Sequence, residues 1–168
     1  MDTTQLLEEA FGRIGGVVHD AVEGLSEEEL QFRVDPGANH IAWLVWHLAR
    51  VQDDHVAAVA GTDQVWTSEG WAERFGLPLA VSDTGYGHRP DQVAEVRAEG
   101  PLLVAYYDAV EAATLRFVRG LSDEDLDRVV DTRWDPPVTL GVRLVSVIDD
   151  DVAHAAQASY VRGVIERR

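Results

Sequence analysis

A short acidic segment occurs twice in this chain, and this repetition limits the available folds more than any other feature. The copies are Gly24-Leu-Ser-Glu-Glu-Glu-Leu30 and Gly120-Leu-Ser-Asp-Glu-Asp-Leu126. In the first copy a serine precedes a glutamate by three residues, which is the spacing of a helix capping box. An apolar stretch with helical spacing precedes each copy, and a turn followed by another such stretch comes after it. The sequence therefore predicts two copies of one unit: helix, short acidic helix, turn, helix.

Four long helices follow from the spacing of apolar residues, and no strand-like alternation competes with them. Two helical hairpins in succession predict an all-α, up-down-down-up four-helix bundle that occupies residues 1–168 as a single domain. The predicted long helices span residues 4–23, residues 40–60, residues 101–118 and a last stretch that Thr139 would cap.

Residues 61–100 form the least regular part of the sequence and predict a long irregular connection between the second and third long helices. Aromatic residues alternate there with glycine and proline. We expect a short helix at Glu69–Phe75 and another near Asp91–Arg97. The aromatic side chains either line a pocket or pin the connection to the bundle, and pinning is the favoured expectation.

Composition excludes several classes of function. The 168 residues carry a net charge of −16, and such a field repels phosphate backbones, so no nucleic-acid partner is expected. No apolar run approaches the roughly 20 residues of a membrane span, and the first residues lack the pattern of a signal peptide. We therefore expect a cytoplasmic protein with no membrane partner. The absence of cysteine excludes disulfides and a cysteine nucleophile.

A candidate metal site involves two of the long helices. Asp150 and His154 stand four residues apart on the last predicted helix and therefore project from one face. His47 lies among large apolar residues in the second helix and would supply a third ligand if the two helices face each other. Two histidines and a carboxylate leave coordination positions open for water or substrate. The same spacing also occurs in ordinary salt bridges, and Asp151 is an alternative carboxylate.

Three stretches carry a resemblance to a known family. They are Trp43-Leu-Val-Trp-His47-Leu-Ala, residues 71–78 together with 83–88, and Asp150-x-x-x-His154-Ala-Ala-Gln157. On these stretches the whole chain resembles the DinB-like four-helix-bundle superfamily, and within it an uncharacterised branch near the mycothiol-dependent maleylpyruvate isomerases and thiol S-transferases. The resemblance implies that His47, Asp150 and His154 form the metal triad. Many members have histidine in place of Asp150, and those similar to maleylpyruvate isomerase have glutamate.

The same resemblance implies a chemistry. The expected cofactors are a divalent metal, with zinc or nickel ahead of iron and manganese, and a low-molecular-weight thiol of the mycothiol type. The metal would stabilise the thiolate for attack on a small electrophile. Candidate cofactor or substrate contacts are His55, Gln157 and Tyr160, which lie one or two turns from the ligands, and His88 is a candidate cover from the connection. No catalytic residue is assigned.

Two other functions are compatible with these residues. A metal-dependent hydrolase would use the same triad with water as the nucleophile. A non-enzymatic, stress-related bundle would bind no metal. A homodimer is expected, because bundles of this size commonly pair through an apolar helix face. The sequence leaves open the substrate, the metal and whether the protein is an enzyme.

Overall fold

Four long helices form the body of the protein, as the sequence predicts. The structure is a computed structural model that describes residues 1–168. The all-α fold class is confirmed, and none of the helices combines the length and apolar character needed to cross a membrane. The long helices are α1 (Thr3–Val22), α3 (Ile41–Ala60), α7 (Gly100–Arg119) and α8 (Leu140–Ile165), and the short ones are α2 (Glu27–Leu30), α4 (Val65–Ser68), α5 (Trp71–Phe75) and α6 (Pro90–Glu95).

The long helices have the predicted up-down-down-up directions, but they pack differently from two separate hairpins. Helix α1 packs against α7 and α8, and α3 packs against the same two helices. The two helices of each predicted hairpin, α1 with α3 and α7 with α8, therefore lie at opposite corners of the bundle. Helices at opposite corners hardly touch each other, so the apolar faces of α1 and α3 are covered by α7 and α8. Contacts near the helix ends fix the directions: Thr4–Leu121, His55–Arg143 and Arg162–Glu23.

The repeated acidic segment has the same capping geometry in both copies. The backbone N–H of Ser26 donates to the carboxylate of Glu29 at 2.8 Å, and that of Ser122 donates to Asp125 at 2.8 Å. Each carboxylate thus satisfies an N–H that the helix cannot. The second copy forms a 3₁₀ helix, Asp123–Asp127, in place of an α-helix.

A two-stranded antiparallel sheet is an element that the sequence did not predict. Strand β1 (Val129–Asp131) pairs with β2 (Val138–Thr139). The strands are too short to show a period of two, so only a turn is visible in the sequence here. The sheet leads directly into α8, whose first turn Thr139 caps by accepting a hydrogen bond from the N–H of Val142.

Aromatic residues pin the long connection to the bundle, as expected. The rings of Trp66 and Phe75 lie 5.1 and 5.7 Å from the buried ring of Tyr106. The carboxylate of Asp53 accepts hydrogen bonds from the N–H groups of Val65 and Trp66 at 2.9 and 2.7 Å. These bonds start α4, a helix that the sequence analysis missed. The connection is therefore an ordered wall of the bundle.

Candidate metal centre

Helices α3 and α8 bring the three predicted ligands together. Oxygen or nitrogen atoms of His47, Asp150 and His154 all lie within 4.8 Å of one another. The imidazole centroids of His47 and His154 are 4.8 Å apart, and Nε2 of His154 is 3.7 Å from Oδ1 of Asp150. This distance is that of an i, i+4 ion pair without a hydrogen bond, and His47 joins the pair as a third candidate ligand.

The hydrogen bonds of the two imidazoles leave the same nitrogen free on each ring. Nδ1 of His47 bonds the carbonyl oxygen of Thr84. A carbonyl only accepts, so Nδ1 carries the hydrogen and Nε2 keeps its lone pair. Nδ1 of His154 lies 3.0 Å from Oε1 of Gln157 and donates to it. Fixing a histidine through its second nitrogen is the usual support of a metal ligand.

One carboxylate oxygen of Asp150 is a hydrogen-bond acceptor that no donor of the protein reaches. Its Oδ2 is buried and has no hydrogen-bond partner, although the side chain as a whole is 33 % exposed. A buried carboxylate oxygen without a partner is costly. A divalent cation beside the two free imidazole nitrogens would satisfy it, so the residues fit a metal.

Burial keeps His47 in the form that a metal needs. Burial is the main reason that the pKa of His47 lies below its usual value, and the neighbouring His154 and His88 lower it further. The hydrogen bond to Thr84 and the charge of Asp150 oppose this shift. The imidazole is therefore neutral at pH 7, and neutral imidazole is the metal-binding form.

Asp151, the alternative carboxylate, lies outside the converging group. Its side chain is completely buried, and neither carboxylate oxygen has a hydrogen-bond partner. Burial raises its pKa well above the usual value, and the charge of Asp150 adds to this effect. One residue corresponds to about 100° around a helix, which turns this carboxyl away from the histidines.

The segment 83–88 covers the histidine of α3. The side chain of His88 is buried; it accepts a hydrogen bond from Nε1 of Trp43 at 3.1 Å and donates to Asp83 at 3.0 Å. His88 thus holds the segment in place and is not one of the converging residues. Gly85 has a φ of +89°, and a Cβ there would lie 2.8 Å from Nδ1 of His47. Only glycine lets the backbone approach this closely.

A family model described as the DinB superfamily matches residues 10–158. The chain belongs to the DinB superfamily. A crystal structure of a conserved protein from Enterococcus faecalis is similar over 100% of this chain and 99% of that chain, with 35% sequence identity and a TM-score of 0.93. No curated protein matches the chain.

The three residues of this DinB protein that the sequence suggests as cofactor or substrate contacts differ in their position relative to the triad. A cavity of about 400 Å³ adjoins the triad, and His55 lies in its wall. Gln157 contacts His154 and does not line that cavity. Tyr160 is 66 % exposed and does not line this cavity. The cavity walls consist of His47, Val51, Asp54, His55, Thr84, Tyr86, Trp134, Ser146 and Asp150.

Proposed function

We propose that this DinB protein binds a divalent metal through His47, Asp150 and His154 and catalyses the transfer of a low-molecular-weight thiol to a small electrophile. The observation that carries the metal site is the buried, unpartnered Oδ2 of Asp150 beside two imidazoles whose Nδ1 atoms are already engaged. Two nitrogens and one oxygen suit zinc or nickel and also accept iron or manganese. Three protein ligands leave room for a fourth from solution.

A bound metal lowers the pKa of a thiol that coordinates it and so provides a nucleophile at neutral pH. The chain contains no cysteine, so the thiol comes from solution through the cavity of about 400 Å³. Thr84 and Gln157 hold the two imidazoles in position. Burial and the charge of Arg143 lower the pKa of His55, which keeps this residue of the cavity wall neutral. The thiol proton leaves to water in the cavity, because Nδ1 of His55 accepts from Arg143 and its Nε2 already carries the hydrogen.

Thiol transfer is tested with zinc-loaded protein, glutathione and 1-chloro-2,4-dinitrobenzene. Sulfur replaces chlorine on the ring, which yields a thioether, chloride and a proton. We expect the parent protein to form the thioether faster than the uncatalysed background. Asp150→Asn should remove this rate, because it removes a ligand. Asp149→Asn is the matched control, since Asp149 is an exposed neighbour with the same charge.

A hydrolase and a non-enzymatic bundle predict different results with the same two proteins. 4-Nitrophenyl acetate serves as a hydrolysis substrate without a thiol. Its cleavage by the parent but not by Asp150→Asn, without thioether formation, would replace the transferase with a hydrolase. Stoichiometric zinc without either activity would contradict both reactions and leave a metal-binding bundle. Because mycothiol and bacillithiol differ in structure from glutathione, the thioether assay is repeated with each.

A further inference from the structure

A second cavity, of about 480 Å³, continues from the one beside the triad. The two cavities share Asp54 and His55 in their walls. The second cavity lies between the end of α3, the two-stranded sheet and the start of α8. Three arginines line it: Arg128, Arg133 and Arg143. The function proposed above gives these arginines no part in binding.

The charges in this cavity contrast with those of the whole chain. The protein has a net charge of −16 and only 14 basic residues. Arg133 and Arg143 share one carboxylate, that of Asp131, at 2.8 and 3.3 Å. Arg128 donates a hydrogen bond to the carbonyl oxygen of Val59 and forms no ion pair. The wall also includes the carboxylate of Asp54, so three guanidinium groups face two carboxylates and the cavity lining keeps one positive charge in excess.

We propose that this arginine-lined cavity is a carboxylate-binding subsite, so that the ligands of the metal centre are small molecules with a carboxylate at the end away from the metal. This inference rests on the proposed function. The guanidinium fork matches a carboxylate in two parallel hydrogen bonds. The protein shows this match itself: Arg133 donates from Nε to Oδ1 of Asp131 at 3.0 Å and from Nη2 to Oδ2 at 2.8 Å.

Helical spacing sets the length of such a ligand. His55 follows His47 by eight residues on α3, which is about 12 Å along the helix axis. Arg143 precedes Asp150 by seven residues on α8, which is about 10 Å. The ligand therefore carries its metal-binding or reacting group about 10 Å from its carboxylate. Either the thiol or the electrophile can supply that carboxylate.

Cobalt-loaded protein tests the thiol as the source. The probes are 8-mercaptooctanoate and its neutral analogue 8-mercapto-1-octanol, and the sulfur-to-cobalt charge-transfer band reports their binding. We expect the Kd of 8-mercaptooctanoate to be about tenfold lower than that of 8-mercapto-1-octanol, because its carboxylate forms charge-assisted hydrogen bonds. Arg128→Gln and Arg143→Gln should each remove most of this preference. Arg13→Gln, a charge-matched change in an exposed pair with Glu9, should keep it.

The electrophile is tested as the source with 8-bromooctanoate and its methyl ester, each given with 2-mercaptoethanol, so that sulfur replaces bromide about 10 Å from the carboxylate. A lower KM for the acid, lost in the Arg128 and Arg143 variants, would assign the subsite to the electrophile. A preference for the acid in either arm supports the subsite. Equal values for acid and neutral analogue in both arms, with cobalt bound, would overturn it and leave the metal site intact.

A third arm separates the subsite from the metal centre. Octanoate is titrated into metal-free protein while the Nε–H resonances of the arginines are followed by NMR. Saturable shifts at Arg128 and Arg143, absent with 1-octanol, would support the subsite even if cobalt failed to bind. Absent shifts together with absent cobalt binding would overturn both proposals. Thermal unfolding of each variant confirms that it is folded before these comparisons are made.

Discussion

His47 donates the hydrogen on Nδ1 to the carbonyl oxygen of Thr84. This bond joins the middle of the most deeply buried helix to a loop that is 37 residues further along the chain. It fixes the tautomer of the imidazole and leaves Nε2 unprotonated. The loop is therefore part of the metal centre, although none of its side chains belongs to the triad.

Gly85→Ala should disturb this contact. A Cβ at residue 85 would lie 2.8 Å from Nδ1 of His47 and 3.0 Å from Trp46. Overpacking adds to the cost of the positive φ, and we expect a loss of about 3 kcal/mol in the free energy of unfolding. Metal affinity should fall as well. Urea unfolding and zinc titration measure the two effects.

Gly87→Ala is the matched control for that change. Gly87 also has a positive φ, +72°, but nothing lies within 4 Å of the position of its Cβ. Gly87→Ala should lower the free energy of unfolding by about 1 kcal/mol through backbone strain alone and leave metal affinity unchanged. Equal metal affinity in both variants would show that the approach of the loop to His47 does not matter for binding.

Gln157→Leu should weaken metal binding about tenfold, the lower end of the effect of losing a partner of a metal-bound histidine. The exposed Gln157 accepts the hydrogen of His154 at 3.0 Å, and leucine has no acceptor. Gln157→Glu keeps an acceptor and should restore the affinity. Competition with a chelator measures both. Equal affinities for parent and Gln157→Leu would assign no positioning role to this residue.

The pH dependence of stability should include a contribution from His40. Burial lowers the pKa of His40 from 6.5 to about 4. The unfolded chain therefore binds more protons between these values, so folding loses stability as the pH falls from 6.5 towards 4. The expected loss is about 3 kcal/mol. Above pH 6.5 the contribution is fully present.

His40→Asn isolates this contribution. His40 caps α3 by accepting the N–H of Trp43 at 3.1 Å, and asparagine is also a good helix cap without a titrating ring. Urea unfolding of both proteins between pH 4 and 8 should show a smaller slope for the variant below pH 6.5. The same dependence of the free energy of unfolding on pH in both proteins would contradict a contribution from His40.

The helices and the triad follow from the sequence because both depend on spacing along a helix. Asp150 and His154 share a face at four residues' separation, and the buried character of α3 directs its histidine towards a neighbour. That α3 and α8 are the helices that meet came from the family resemblance, since spacing alone selects no partner. The resemblance is confirmed for the superfamily, and its mycothiol-dependent branch stays a prediction, as does the homodimer.

The missing parts of the site have no periodic signature. Thr84 acts through its backbone carbonyl, which residue type does not reveal. Gly85 was visible only as one of two glycines in an irregular segment, and its contact with His47 depends on the path of the loop. Tyr160 lies near the ligands in sequence but is exposed on α8, and its contact with a cofactor or substrate stays a prediction. Two turns along a helix do not ensure a shared face.

The most direct test of the metal centre is native mass spectrometry of the untagged protein after it is loaded with zinc. The parent is compared with His154→Ala, Asp150→Asn and the control Asp149→Asn. The proposed site predicts one zinc ion per chain in the parent and in Asp149→Asn, and loss of the ion from His154→Ala and Asp150→Asn. No bound zinc, nickel or manganese in the folded parent, or equal occupancy in all four proteins, would contradict it.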